Sequence, residues 1–102
     1  MTLDDLAKII ADRAGADANA SWTAALLAQG PEKCAEKFGE EAVEAIIEAV
    51  KGDRAALTAE AADVLYHLLV MLQSRDVAFS DVMAELSRRQ STSGISEKES
   101  RT

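Results

Sequence analysis

Two groups of carboxylates stand out by their spacing. Glu40, Glu41 and Glu44 fall within one helical turn, and after fifteen further residues Glu60 and Asp63 repeat the i, i+3 interval. Like charges set this close on a helix repel by about 0.2–0.5 kcal/mol per pair, so solvated decoration is a costly use of them. Four carboxylates, Glu41, Glu44, Glu60 and Asp63, offer oxygen donors only. Such a set suits a hard cation, Mg2+ or Mn2+, which keeps positions open for a phosphate. With one cysteine and one histidine in the chain, a zinc site is not expected.

The elements that must position these groups read as helices. Leu3, Leu6, Ile9 and Ile10 recur at helical spacing, and Gly15 ends that run. Ser21 caps a short helix from Trp22 to Ala28. A third helix is expected from Pro31 to Val50, with Gly52 stopping it and Asp53 capping a fourth from Arg54 to Ser74. A fifth begins at Phe79 or Ser80 and ends near Arg89. On a wheel at about 100° per residue, Glu36, Glu40, Glu41, Glu44 and Glu48 share one sector of the third helix with Lys33 and Lys37. Apolar residues fill the rest, with Ile47 alone intruding on the acidic side. The fourth helix is apolar nearly all round and should be buried, yet Glu60, Asp63 and His67 form one stripe along it. Buried carboxylates need partners or a metal. If the third and fourth helices pack antiparallel, the two acidic pairs converge.

Composition agrees with an all-α fold. The chain has 102 residues, one domain's worth, and only 4% aromatics, so alanine and aliphatic residues must fill the core. Residues 1–90 form the expected domain, and the polar, serine-rich stretch 91–102 reads as a flexible tail. The net charge of −7 opposes nucleic-acid binding. Cys34 cannot form an intrachain disulfide and reads as a buried thiol. No basic-then-apolar start marks a signal peptide, and the run from Val64 to Leu72 is too short for a membrane span. A soluble, cytoplasmic protein is expected. The fourth helix carries more apolar surface than three neighbours can cover, which predicts a homodimer whose two hairpins make a four-helix-bundle core.

The pattern E-E-x-x-E, fifteen residues, then E-x-x-D resembles the signature of the all-α NTP pyrophosphatase superfamily with the MazG-like fold. Ser21-Trp22-Thr23, the stretch from Gly30 to Ala49, Ala61 to Val70, and the ending from Ser93 to Arg101 are similar to the phosphoribosyl-ATP pyrophosphatase family of histidine biosynthesis. The resemblance runs from about Leu3 to Arg101, and Glu99 departs from the alanine usual in that family. It implies hydrolysis of phosphoribosyl-ATP between its α and β phosphates, with Glu41, Glu44, Glu60 and Asp63 as ligands of Mg2+ or Mn2+. Glu40 is then the remaining candidate for orienting or deprotonating water, a supporting role beside the ligands being the other reading.

Such a substrate needs cations. Lys33 and Lys37 share the acidic face, and ordinary ion-pairing along the helix competes with phosphate binding there. Arg88 and Arg89 end the fifth helix, where the dipole favours cations anyway. Ser93, Gly94, Lys98 and Arg101 suit a loop that closes on phosphate. His67 reads as a core residue or a hydrogen-bonding support for a ligand. Trp22 reads as core packing or as a base-stacking surface. Two other functions stay open: a house-cleaning enzyme acting on non-standard NTPs, separable by a substrate panel, and a metal-free acidic dimerisation module, separable by the absence of any Mg2+ effect.

Overall fold

The structure, a computed structural model, describes residues 1–90. They form five helices and, among these residues, no strand: α1 Leu3–Arg13, α2 Trp22–Ala28, α3 Pro31–Lys51, α4 Arg54–Ser74 and α5 Phe79–Gln90. The expected tail, 91–102, lies outside the described residues.

Local chemistry sets most boundaries. Thr2 and Asp5 form a reciprocal capping box at the start of α1. That helix stops at Arg13, just short of the stop read at Gly15. Ser21 Oγ accepts from the Ala24 amide at the start of α2. Pro31 opens α3 at a position where its missing N–H costs nothing. At the other end Gly52 adopts φ 79°, a left-handed conformation open to glycine, and Asp53 immediately caps α4 by accepting from the Ala56 amide at 3.0 Å. This two-residue junction folds α3 and α4 into a long antiparallel hairpin, the dominant contact in the molecule.

The hairpin's two halves differ. α1 and α2 pack on the half far from Gly52, where Ile10, Leu26, Cys34, Leu69 and Val70 form the buried core. Cys34 is a buried thiol there, donating to the Leu26 carbonyl at 3.5 Å. Tyr66 reaches from α4 to α2, its hydroxyl 2.6 Å from Thr23 Oγ1. Among the described residues, the half near Gly52 has no such cover. Two expectations change as a result. α4 is not buried along its length: only His67, Leu69 and Val70 are, and Leu65 is exposed. Nor is the apolar face of α3 all core: Val43, Ile46, Ile47 and Val50 face solvent, Val50 at 84% exposure. A helix wheel gives polarity, not coverage, and α1 and α2 are too short to cover both halves.

α4 is long and apolar enough to cross a membrane by length and composition, unlike the shorter run considered from sequence. Its far half is occupied by α1 and α2, and Asp63 near its middle would cost about 3 kcal/mol at a bilayer centre.

Candidate metal centre

The antiparallel hairpin brings the two acidic motifs together across the α3–α4 contact. One oxygen each from Glu41, Glu60 and Asp63 lie within 4.8 Å of one another. Two opposed ligands of Mg2+ stand about 4 Å apart, so small side-chain movements would close this group on an ion. Glu41 and Glu60 are half-buried, whereas Asp63 is exposed and not sunk in the helix interface as its apolar neighbours suggest. Glu44 is exposed and stands beside the trio, acting on both Glu60 and Glu41.

The electrostatics are those of carboxylates lacking a counter-charge. Burial, then the Glu44 carboxyl, then the charges of Glu41 and Asp63 push Glu60 up to about 7. Burial and the charges of Glu44 and Asp63 also raise Glu41, with Lys37 pulling the other way. Glu60 Oε2 is buried and has no hydrogen-bond partner among the described residues. An orphaned carboxylate oxygen beside two further carboxylates, with no sulfur or nitrogen donor among them, fits a hard divalent cation.

Basic residues flank this group. Lys37 Nζ donates to Glu40 at 3.1 Å and Lys33 lies 3.6 Å from Glu36, both i, i+3 pairs on the helix itself. The hydrogen bond from Lys37, and then its charge, hold Glu40 below the usual carboxylate range. Glu40 is exposed and ionised, suited to orienting water more than to storing a proton. Arg88 and Arg89 bind Glu85 on their own helix, and α5 rests on α1, whereas the carboxylates lie between α3 and α4. Ser93, Gly94, Lys98 and Arg101 fall outside the described residues. Trp22 is 60% exposed at the start of α2, which removes the core-packing reading.

The sequence named His67 and Lys37 separately but did not pair them. Counting along an antiparallel hairpin closed at Gly52-Asp53 would have done so, because Glu41 with Asp63 and Glu44 with Glu60 fix a register that sets Lys37 opposite His67. The Thr23–Tyr66 bond was also missed. Its signal is the Ser-Trp-Thr cap followed by a tyrosine on an otherwise aliphatic helix.

Fold and site thus define a class: an all-helical protein with a cluster of carboxylates gathered between two antiparallel helices, consistent with the MazG-like fold. Comparison with known proteins narrows it. Residues 3–90 match the family model described as phosphoribosyl-ATP pyrophosphohydrolase, and the chain belongs to that family. Among its relatives, a protein of Dinoroseobacter shibae named phosphoribosyl-ATP pyrophosphatase is 78% identical over 90% of each chain. Proteins of the same name from Roseobacter denitrificans and Cereibacter sphaeroides are 73% and 71% identical, covering 99% and 97% of this chain and 96% of each relative.

Proposed function

We propose that the protein hydrolyses the α–β phosphoanhydride of phosphoribosyl-ATP, releasing phosphoribosyl-AMP and pyrophosphate, in the second step of histidine biosynthesis. The observation that carries this reading, beside family membership, is the Glu41, Glu60 and Asp63 oxygens gathered within 4.8 Å with Glu60 Oε2 unpartnered. Glu41, Glu44, Glu60 and Asp63 would hold Mg2+, or Mn2+ in its place. Such an ion neutralises phosphate charge and makes nearby water more acidic. The remaining work falls to the chain. Glu40, kept ionised by Lys37, accepts a hydrogen bond from water and aims its oxygen at phosphorus. That oxygen forms the new P–O bond as the bridging P–O bond breaks, and the water proton passes to solvent. Lys33 exchanges Glu36 for substrate phosphate, and Lys37, keeping Glu40, turns a further N–H to it. Arg88 and Arg89, with Ser93, Gly94, Lys98 and Arg101 of the tail, contribute further phosphate contacts.

The same reading includes a homodimer working in the cytoplasm. Val43, Ile46 and Val50 lie on one side of α3, with Ile47 and Leu65 exposed nearby, and burying such side chains is worth about 25 cal/mol per Å2 of apolar surface. A second hairpin laid on this stripe completes a four-helix core. The deciding experiment is pyrophosphate release with phosphoribosyl-ATP against a panel of NTPs, with and without Mg2+. Mg2+-dependent release from phosphoribosyl-ATP alone supports the reading. Equal turnover of the panel points to the house-cleaning class, and no release at all returns the molecule to a dimerisation module.

A further inference from the structure

Two polar side chains are buried among the described residues, Thr23 and His67. Thr23 is satisfied by the Tyr66 hydroxyl. His67 is not: it is 6% exposed, and its Nδ1 is buried without a hydrogen-bond partner among the described residues. A buried nitrogen left in this state bears the full cost of its desolvation, so its surroundings should contain a group able to relieve it.

The register of the hairpin identifies that group. Glu44 meets Glu60 and Glu41 meets Asp63, and one turn further from Gly52 the same register sets Lys37 opposite His67. The Lys37 side chain is half-buried, 25% exposed. Lys37, Asp63 and Glu40 are the charged groups that act on His67. The Cys34 thiol donates to the Leu26 carbonyl, and the Tyr66 hydroxyl is shared with Thr23. Asp63 and Glu40 are carboxylates, which when ionised only accept. Lys37 has three N–H donors and gives one to Glu40. Burial, and next the Lys37 charge, keep the imidazole below its usual pKa against the opposing pull of Asp63 and Glu40, so the ring is neutral and retains an acceptor nitrogen. The ring is packed edge-on against Tyr66, 5.0 Å between centroids, which fixes its plane.

We propose that His67 is a positioning residue: its neutral imidazole gives Lys37 a second acceptor beside Glu40 and thereby aims the remaining N–H of the ammonium at a substrate phosphate. An ammonium with two of its three donors directed has little freedom left for the third, whereas one held by a single exposed glutamate swings about that bond. This inference rests on Lys37 as a phosphate ligand. His67 touches no substrate. It acts through Lys37, from one turn beyond the carboxylates.

The test has a metal-free arm and a binding arm. In long-range 1H–15N spectra of the apo protein, His67 should carry its proton on Nε2, with an Nδ1 resonance that shifts in Lys37→Met. An Nδ1 proton, or a resonance indifferent to Lys37→Met, overturns the proposal. In the second arm, calorimetry measures inorganic pyrophosphate binding with Mg2+. His67→Leu should weaken binding about tenfold, the scale of one hydrogen bond to a charged group, and His67→Gln should recover most of that. In a Lys37→Met background, His67→Leu should change nothing further. Equal losses in the Leu and Gln variants, or independent losses in the double variant, overturn the role of His67 alone. Unchanged affinity in Lys37→Met by itself overturns the reading of Lys37 as a phosphate ligand, and this proposal with it.

Discussion

The near and far halves of the α3–α4 hairpin are built from the same two helices but do different work. In the far half, α1 and α2 close over Leu69, Val70, Cys34 and Leu26, and the interior is complete within one chain. In the near half, Glu41, Glu44, Glu60 and Asp63 gather along the seam of the hairpin, Glu44 and Asp63 exposed, while Val43, Ile46 and Val50 lie bare. The far half covers its apolar groups internally, though His67 Nδ1 there has no hydrogen-bond partner among the described residues. Among the described residues the other leaves Glu60 Oε2 without a partner and an apolar stripe without cover, and the proposed function puts a cation and a second hairpin there.

The largest expected effect separates the halves by activity. Glu60→Gln or Asp63→Asn should reduce Mg2+-dependent pyrophosphate release on the order of a thousandfold, because removing a ligand forfeits several kcal/mol of charge stabilisation. The apo melting temperature should hold or rise, since a repulsive carboxylate has gone. Next comes the core of the far half. Leu26→Ala, at a side chain with no exposure, should cost about 3 kcal/mol and lower the melting temperature by more than about 10 °C in a domain of this size. Calorimetric unfolding measures it, and a loss below 1 kcal/mol would mean the far half is not the stabilising one. On the bare stripe, Ile46→Glu should convert a dimer to monomer in sedimentation, while Ile46→Ala in a monomer background should be nearly silent.

A smaller effect follows from Glu60. Its folded-state pKa of about 7 lies above the ordinary 4.5, so the native state holds a proton that the unfolded chain has lost. In a chelator, stability should therefore fall as pH rises from about 4.5 to about 7 and level off beyond; Glu60→Gln should flatten that slope, and an unchanged slope assigns it elsewhere. The smallest effect belongs to α5. Arg88 and then Arg89 hold Glu85 down at about 2, so its contribution is present above the ordinary 4.5 and lost as pH falls toward 2. Glu85 is solvent-exposed, and Glu85→Gln should trim only the acid limb of the stability curve, slightly, as melting curves at pH 2 to 5 would register.

How much of this could be read from sequence follows the same division. Helix ends were readable because capping is local: Ser21, Pro31, Gly52 and Asp53 announce α2, α3 and α4 within a residue of their bounds. The stripe of Glu60, Asp63 and His67 was readable because helical spacing is local too. Coverage was not. Within α4 the charged residues Arg54, Glu60 and Asp63 stand in the first half and the bulky run from Val64 to Leu72 in the second, but which elements cover that run depends on where α1 and α2 come to rest. Nor does a wheel show that Val43 and Ile46 stay exposed while Glu41, nominally on the polar side, is half-buried against α4. Trp22 escaped for the same reason.

The account depends most on the near-half carboxylates being a cation site, and the most direct measurement is Mn2+ binding followed by electron paramagnetic resonance, without substrate or turnover. The wild-type protein should remove Mn2+ from the free-ion signal, more tightly as pH passes about 7, where Glu60 ionises. Glu41→Gln/Glu60→Gln should leave that signal at its protein-free intensity while melting like the wild type. A folded double variant that still takes up Mn2+ with wild-type affinity would contradict the assignment.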